Sequence, residues 1–151
     1  MKALTDVLKE SSQLVRETGQ WILAQSSQFT SSDIIYKGTN DLVSFVDQQA
    51  EAKLKQGLSA IFPEAAFIAE ETSSNYEEVG EGYYWVIDPL DGTTNFLHKL
   101  PVFAVSVGLI YQKQPILGLI YEPNQSLPTH LNCIRRSSSA VITSCNTLNR
   151  A

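Results

Sequence analysis

The chain has 151 residues, of which 43% are hydrophobic and 18% charged, and a net charge of −5. That length suits a single domain with a packed core, and so modest a charged fraction excludes wholesale disorder. An acidic balance gives no electrostatic footprint for nucleic acid, and no apolar run approaches the ~20 residues of a membrane-spanning helix. Residues 1–30 lack the apolar core of a secretory signal because Lys9, Glu10, Arg16 and Glu17 interrupt them. A cytoplasmic location is therefore expected, with Cys133 and Cys145 as reduced thiols that have no zinc-ligand spacing.

Residues 3–25 read as an amphipathic helix, with Leu4, Val7, Leu8, Ser11, Leu14, Val15, Thr18 and Ile22 on one face. A hydroxyl-rich connection over 26–32 follows. Two short extended pieces are expected within 33–43, namely Ile34-Ile35-Tyr36 and Leu42-Val43, on either side of a turn at Gly38 and Asn40. Lys37 stands at the entrance of that turn, where a solvated lysine is the ordinary reading. A second helix is predicted over 44–61, with Ser44 as N-cap, Asp47 in the first turn, an apolar face of Val46, Ala50, Leu54, Leu58 and Ile61, and Pro63 as its stop. Taken locally, Asp47 needs no function beyond complementing the helix dipole.

Ala66-Phe67-Ile68-Ala69 reads as a strand that ends in Glu70-Glu71, and residues 73–83 as a surface loop. The next strand, 84–87, leads into Asp88-Pro89-Leu90-Asp91-Gly92-Thr93-Thr94-Asn95-Phe96. Pro89 is expected to force a turn and Asp91 to begin a short helix. Residues 102–111 and 116–121 read as a strand pair joined by a turn at 112–115. His98 has no second histidine near it and reads as a surface residue. Past Pro123 the character changes: residues 126–151 contain no Asp or Glu, are rich in hydroxyls, and follow neither helical nor strand periodicity.

Asp47, Glu70-Glu71 and Asp88/Asp91 each sit at the start or end of a predicted element. If they converge, they form an all-oxygen ligand set without histidine or cysteine, which selects Mg2+, Mn2+ or Ca2+ over zinc. Mg2+ is usually held by few carboxylates together with substrate phosphate, so phosphate chemistry fits. The backbone N–H groups of Gly92, Thr93 and Thr94 suit a phosphate at the helix start. No glycine-rich nucleoside-triphosphate loop is present.

The Asp88–Phe96 segment closely resembles the signature of the inositol monophosphatase family. So do Phe67-Ile68-Ala69-Glu70-Glu71-Thr72, Lys37-Gly38-Thr39-Asn40-Asp41-Leu42-Val43 and Val102-Phe103-Ala104-Val105-Ser106-Val107-Gly108. The resemblance covers about residues 3–125 and implies an α/β fold (an α+β layered sandwich), represented by its N-terminal metal-binding half. It implies a Mg2+-dependent, lithium-sensitive phosphomonoesterase that uses two or three Mg2+ ions and acts on a small-molecule phosphate monoester of inositol or a related sugar or polyol. On matching positions, Glu70, Asp88, Asp91 and the Leu90 carbonyl would ligate metal. Glu70, Thr93 and Asp47 would act on the attacking water, with Thr93 paired to Asp47. Gly92, Thr93, Thr94, Asp91 and Lys37 would meet the phosphate. Complete members suggest a homodimer.

The resemblance also sets an expectation about length. Members are considerably longer, and their second half supplies a Trp-Asp motif for the second metal and most substrate contacts. Here Trp occurs only at 21 and 85, and no Asp follows Asp91. The expectation is a truncated or frame-shifted member, with 1–125 as family sequence, 126–151 as a divergent tail, and weak or absent activity. The alternatives are a 3′-nucleotide (bisphosphate) phosphatase of the same superfamily and an inactive fragment that binds metal or a partner.

Overall fold

The computed structural model describes residues 2–28, 39–69, 80–124 and 131–135. Helix α1 runs Leu4–Gln28 and helix α2 Thr39–Ile61, followed by strands β1 (Ala65–Ala69) and β2 (Tyr83–Asp91). The short helix α3 (Thr93–Leu97) leads to β3 (Ala104–Tyr111), β4 (Gln114–Tyr121) and β5 (Leu131–Arg135). The five strands form one sheet in sequence order. Strand β1 pairs parallel with β2, and every later pairing is antiparallel. The result is a mixed α/β layer, as the sequence led us to expect.

Helices α1 and α2 pack on each other, α1 over β3 and β4 and α2 over β2. Strand alternation explains what they cover. Trp85 and Ile87 of β2, Val107 and Leu109 of β3, and Leu117 and Leu119 of β4 are buried in one cluster with Val46, Ala50, Leu54 and Leu58 of α2. Successive strand residues point to opposite faces, so Val86, Asp88, Ser106 and Gly108 stand on the other side. The apolar stripe of α1 supplies Val7, Val15 and Ile22. Ser11 and Thr18 on that stripe are fully buried but satisfied within the helix, donating to the Val7 carbonyl at 2.6 Å and the Leu14 carbonyl at 2.9 Å. That removes the penalty an unpaired buried hydroxyl would carry. The indole N–H of Trp85 finds no partner among the described residues.

Four sequence expectations need correction. Helix α2 begins at Thr39, not at residue 44, so Leu42-Val43 is helical and not extended. Ser44 is consequently no N-cap, and Asp47 lies in the body of the helix, beyond its first turn. Burial of Val46, Ala50, Leu54 and Leu58 at helical spacing holds the register, and it overrides the weak local preference of the Gly-Thr-Asn-Asp stretch for a turn. Strand β2 does not stop at Ile87. It continues through Pro89 to Asp91, with a register shift against β3 between Asp88 and Asp91. Pro89 and Leu90 have no ladder partner there, so the missing proline N–H costs no sheet hydrogen bond. Finally, residues 131–135, for which no element was predicted, form β5 of the same sheet, paired with β4 from Leu117↔Arg135 to Tyr121↔Leu131. The expected pieces at Ile34-Ile35-Tyr36 and the loop over 73–79 lie outside the described residues.

The α1–sheet seam is close-packed at Gly19, in the middle of a helix, where glycine costs about 1 kcal/mol relative to alanine. A Cβ there would lie 2.5 Å from the Tyr121 ring, which is why the position is glycine. The neighbouring Gln20 amide donates to the Tyr121 hydroxyl and ties the helix to the end of β4. Gly19→Val is expected to lower unfolding free energy by roughly 1–3 kcal/mol through overpacking, measurable by urea denaturation. An unchanged midpoint would show that the seam is looser than this contact implies.

Candidate active site at the β2–α3 junction

Strand β2 lies between β1 and β3 and carries its residues to the edge of the helix layer. Its last pairing with β1 is Ala69↔Ile87, one residue before Asp88. Because β1 runs parallel to β2, the chain leaves β1 beside the point where Asp88 begins the bulged segment. Glu70 is the next residue after Ala69, and Lys37 precedes α2; both lie outside the described residues.

Past the bulge, Gly92 adopts the left-handed conformation (φ 92°, ψ 33°) and acts as N-cap of α3. Glycine is required twice over. Left-handed backbone is costly for any residue with a Cβ, and a Cβ here would stand 2.9 Å from the Val102 carbonyl oxygen. That same carbonyl accepts a hydrogen bond from the Asn95 side-chain amide at 2.9 Å. The Thr93 hydroxyl donates to the Leu90 carbonyl at 3.0 Å. Phe96 anchors the helix by an edge-to-face contact with Phe103, ring centroids 5.4 Å apart. The first helical bond of α3 runs from the Phe96 N–H to the Gly92 carbonyl at 3.0 Å, so the N–H groups of Thr93, Thr94 and Asn95 precede it.

Of the sequence-derived candidates, Asp88, Leu90, Asp91, Gly92, Thr93 and Thr94 are brought together by this junction. Asp91, Thr93 and Thr94 are exposed, Asp88 is half-buried, and Leu90 has a buried side chain but a backbone carbonyl at the turn. Asp47 is half-buried on α2, the helix that packs against α3. Neither Asp47 nor Asp88 is without a partner. The Thr93 hydroxyl closes the turn onto Leu90 in addition to whatever else it meets. No cluster of three potential metal-ligating side chains occurs among the described residues.

A cleft of about 200 Å³ opens beside the junction, lined by Asp91, Gly92, Asn95, Val102, Phe103, Ala104 and Glu122. Asn95 and Glu122 were not singled out from sequence. The available signal for Glu122 was its place directly after an apolar strand and before Pro123, the same pattern that marks Asp88. Asn95 could have been found as a side-chain amide inside a five-residue helix, where such a group tends to seek backbone partners.

These features define a class: a mixed-sheet α/β protein with a carboxylate-bearing, glycine-capped strand-to-helix junction. Comparison with known proteins makes the assignment specific. The inositol monophosphatase family matches residues 3–143, and the chain belongs to that family. It is 39% identical over 105 residues to a fructose-1,6-bisphosphatase/inositol-1-monophosphatase of Aquifex aeolicus, a stretch that is 70% of this chain and 39% of that protein. It is 39% identical over 118 residues to the 3′(2′),5′-bisphosphate nucleotidase CysQ of Buchnera aphidicola, covering 78% of this chain and 44% of that protein. Among solved structures, the extragenic suppressor protein suhB of Bartonella henselae superposes with a TM-score of 0.66 at 33% identity, over 91% of this chain and 50% of that one. The chain thus spans half or less of the length of these relatives.

Gly92→Ala tests the junction geometry. It is expected to lower unfolding free energy by about 1–3 kcal/mol, from left-handed strain and the clash with the Val102 carbonyl. Thermal unfolding measures it, and a neutral or stabilising effect would contradict the positive φ.

Proposed function

We propose that the β2–α3 junction is the metal- and phosphate-binding part of a Mg2+-dependent phosphomonoesterase acting on inositol phosphate or a related sugar or polyol phosphate. The observation that carries this reading is the junction itself: Asp88 and Asp91 on either side of a bulge, the Leu90 carbonyl between them, and Gly92 turning the chain into α3. The donor set is all oxygen, which fits a hard divalent cation. A sheet-borne bulge also holds backbone and carboxylate donors more firmly than a loop would.

Asp88, Asp91, the Leu90 carbonyl and Glu70 would hold Mg2+, which when bound lowers the pKa of a coordinated water and neutralises phosphate charge. The Leu90 carbonyl keeps acceptor capacity beyond the Thr93 hydrogen bond, since a carbonyl oxygen has two lone pairs. Glu70 is assigned the removal of a proton from the attacking water, with Thr93 and Asp47 orienting it; the packing of α2 on α3 supports that pairing. Gly92, Thr93 and Thr94 would present N–H and hydroxyl donors to the phosphate, with Asp91 beside them and Lys37 adding positive charge. Lithium sensitivity, a cytoplasmic location and a homodimer belong to the same reading. No helix among the described residues is long and apolar enough to cross a membrane.

Two further readings have observations in their favour. The match to the Buchnera bisphosphate nucleotidase supports a 3′-nucleotide substrate. The short span relative to the relatives supports a fragment that binds metal with little turnover. One experiment separates all three. Mg2+ or Mn2+ binding is measured by calorimetry, alongside phosphate release from inositol 1-phosphate and from adenosine 3′,5′-bisphosphate. Asp88→Asn is expected to weaken metal binding and to reduce any release by about 10²–10³-fold, the usual cost of losing a group that stabilises transition-state charge. Undiminished metal binding in Asp88→Asn would remove Asp88 from the site. Metal binding without release from either substrate would favour the fragment reading.

A further inference from the structure

Asp91 and Gly92 serve two neighbours at once. They belong to the β2–α3 junction, and they also form one wall of the cleft of about 200 Å³ beside it. On the metal and phosphate reading of the junction, the part of a substrate next to the ester oxygen meets this cleft first. The chemistry of the cleft therefore bears on which esters are accepted.

Glu122 stands on the far wall, and the register of the sheet puts it there. Strand β3 pairs with β2 as far as Asp91↔Ala104 and with β4 as far as Val105↔Tyr121. The next position beyond the latter pair is Ala104 on one chain segment and Glu122 on the other. Ala104 thus has Asp91 on one side and Glu122 on the other, with only a methyl group of its own between them. Tyr121 turns its ring to α1 at Gly19. Alternation directs the following residue the opposite way, and there Glu122, half-buried, lines the cleft. Two strand spacings separate the backbones of Asp91 and Glu122, about 9–10 Å. A group held midway is about 5 Å from either wall, inside the ~8 Å Debye length at physiological salt.

The lining has one sign of charge. Asp91 and Glu122 line the cleft, and no Lys, Arg or His is among the residues that do. The Asn95 amide, also on the lining, donates to the Val102 carbonyl at 2.9 Å. Carboxylates accept hydrogen bonds and do not donate them, so they suit the hydroxyl groups of a polyol and oppose an anion. Asp91 is assigned to the metal, which offsets its charge. Glu122 is on the opposite wall, where the remainder of the substrate has to pass. It has a partner within the chain; its effect on a ligand rests on charge and position, which a partner leaves in place.

We propose that Glu122 is a specificity-determining residue of the phosphatase site assigned above, an inference that rests on that assignment. Its carboxylate accepts hydrogen bonds from the hydroxyls of a polyol monophosphate and repels a second phosphate group. The site thereby selects a monophosphate over a bisphosphate that differs only by that group.

Binding of inositol 1-phosphate, inositol 1,4-bisphosphate and inorganic phosphate to the full chain is measured by calorimetry with Mg2+ present. Where phosphate is released, kcat/KM for the two esters replaces the ratio of dissociation constants. The parent is expected to favour the monophosphate by at least about tenfold, and to lose most of that preference at about 0.5 M KCl, because the discrimination is electrostatic. Glu122→Gln is expected to bring the preference to about twofold or less at low salt, with inorganic phosphate binding and melting temperature as in the parent. Glu122→Lys is expected to reverse the preference. Glu64→Gln makes the same change in net charge at an exposed position before β1, at the other end of the sheet, and is expected to behave as the parent does. A monophosphate preference that survives in both Glu122 variants, or a parent with no preference, overturns the proposal. So does loss of Mg2+ or inorganic phosphate binding in Glu122→Gln, which would make Glu122 part of the metal centre. A parent that binds neither Mg2+ nor inorganic phosphate overturns the junction reading and this proposal together, whereas intact phosphate binding with no dependence on Glu122 overturns this proposal alone.

Discussion

Trp85 and Ile87 alternate with Val86 and Asp88 along β2, and burial of the first pair decides where the second pair stands. Trp85 is fully buried and Ile87 nearly so, in the cluster that includes Leu54, Leu58, Leu109 and Leu119. A slip of one residue would exchange the two sets, exposing an indole and driving a carboxylate beneath the helices. Full burial of a large aliphatic or aromatic side chain is worth about 1.5–3 kcal/mol, and an unpaired buried carboxylate costs considerably more. Both penalties act against the same slip, so the register of β2 is held twice. The position of Asp88, and of everything after it, follows from that register.

Beyond Asp88 the constraint passes from side chains to backbone. The ladder to β1 has ended at Ile87 and the ladder to β3 skips to Asp91. Proline fits in this gap because no strand asks for its N–H. The chain then has to turn away from β3 within one residue, and the Val102 carbonyl leaves no room for a Cβ at the turning point. Thr93, Asn95 and Phe96 each secure the turn by a separate contact, to the Leu90 carbonyl, the Val102 carbonyl and the Phe103 ring. The carboxylates and carbonyl of the junction are thereby held in a frame of backbone and side-chain contacts.

Legibility from sequence followed the same division. Helix α1 and strands β2 to β4 were readable because burial on one side imprints a period on the sequence. The start of α3 after Gly92 was readable, whereas Pro89, expected to force a turn, lies within β2 where no ladder partner asks for its N–H. Three kinds of feature were not legible. The first turns of α2 carry Thr39, Asn40 and Asp41, residues that locally favour turns, and their helical state is imposed by the apolar stripe farther along. Strand β5 is five residues long with a polar neighbour on each side, and its identity comes from pairing with β4, a partner that local periodicity cannot name. Asn95 and Glu122 were missed because their role depends on the approach of Val102 and Phe103 from another part of the chain.

The pattern of likeness bears on where specificity resides. This chain is equally identical, at 39%, to a protein named for fructose-1,6-bisphosphate and inositol-1-phosphate and to one named for 3′(2′),5′-bisphosphate nucleotides. Those substrates share a phosphate ester and little else. A region that resembles both proteins to the same degree does not distinguish their substrates, and the role proposed for the β2–α3 junction is one that both reactions would share. The junction presents carboxylates, a carbonyl and N–H groups, and its neighbouring cleft of about 200 Å³ is small for a nucleotide or a hexose bisphosphate. Discrimination between such substrates requires side chains that face the junction from across the cleft.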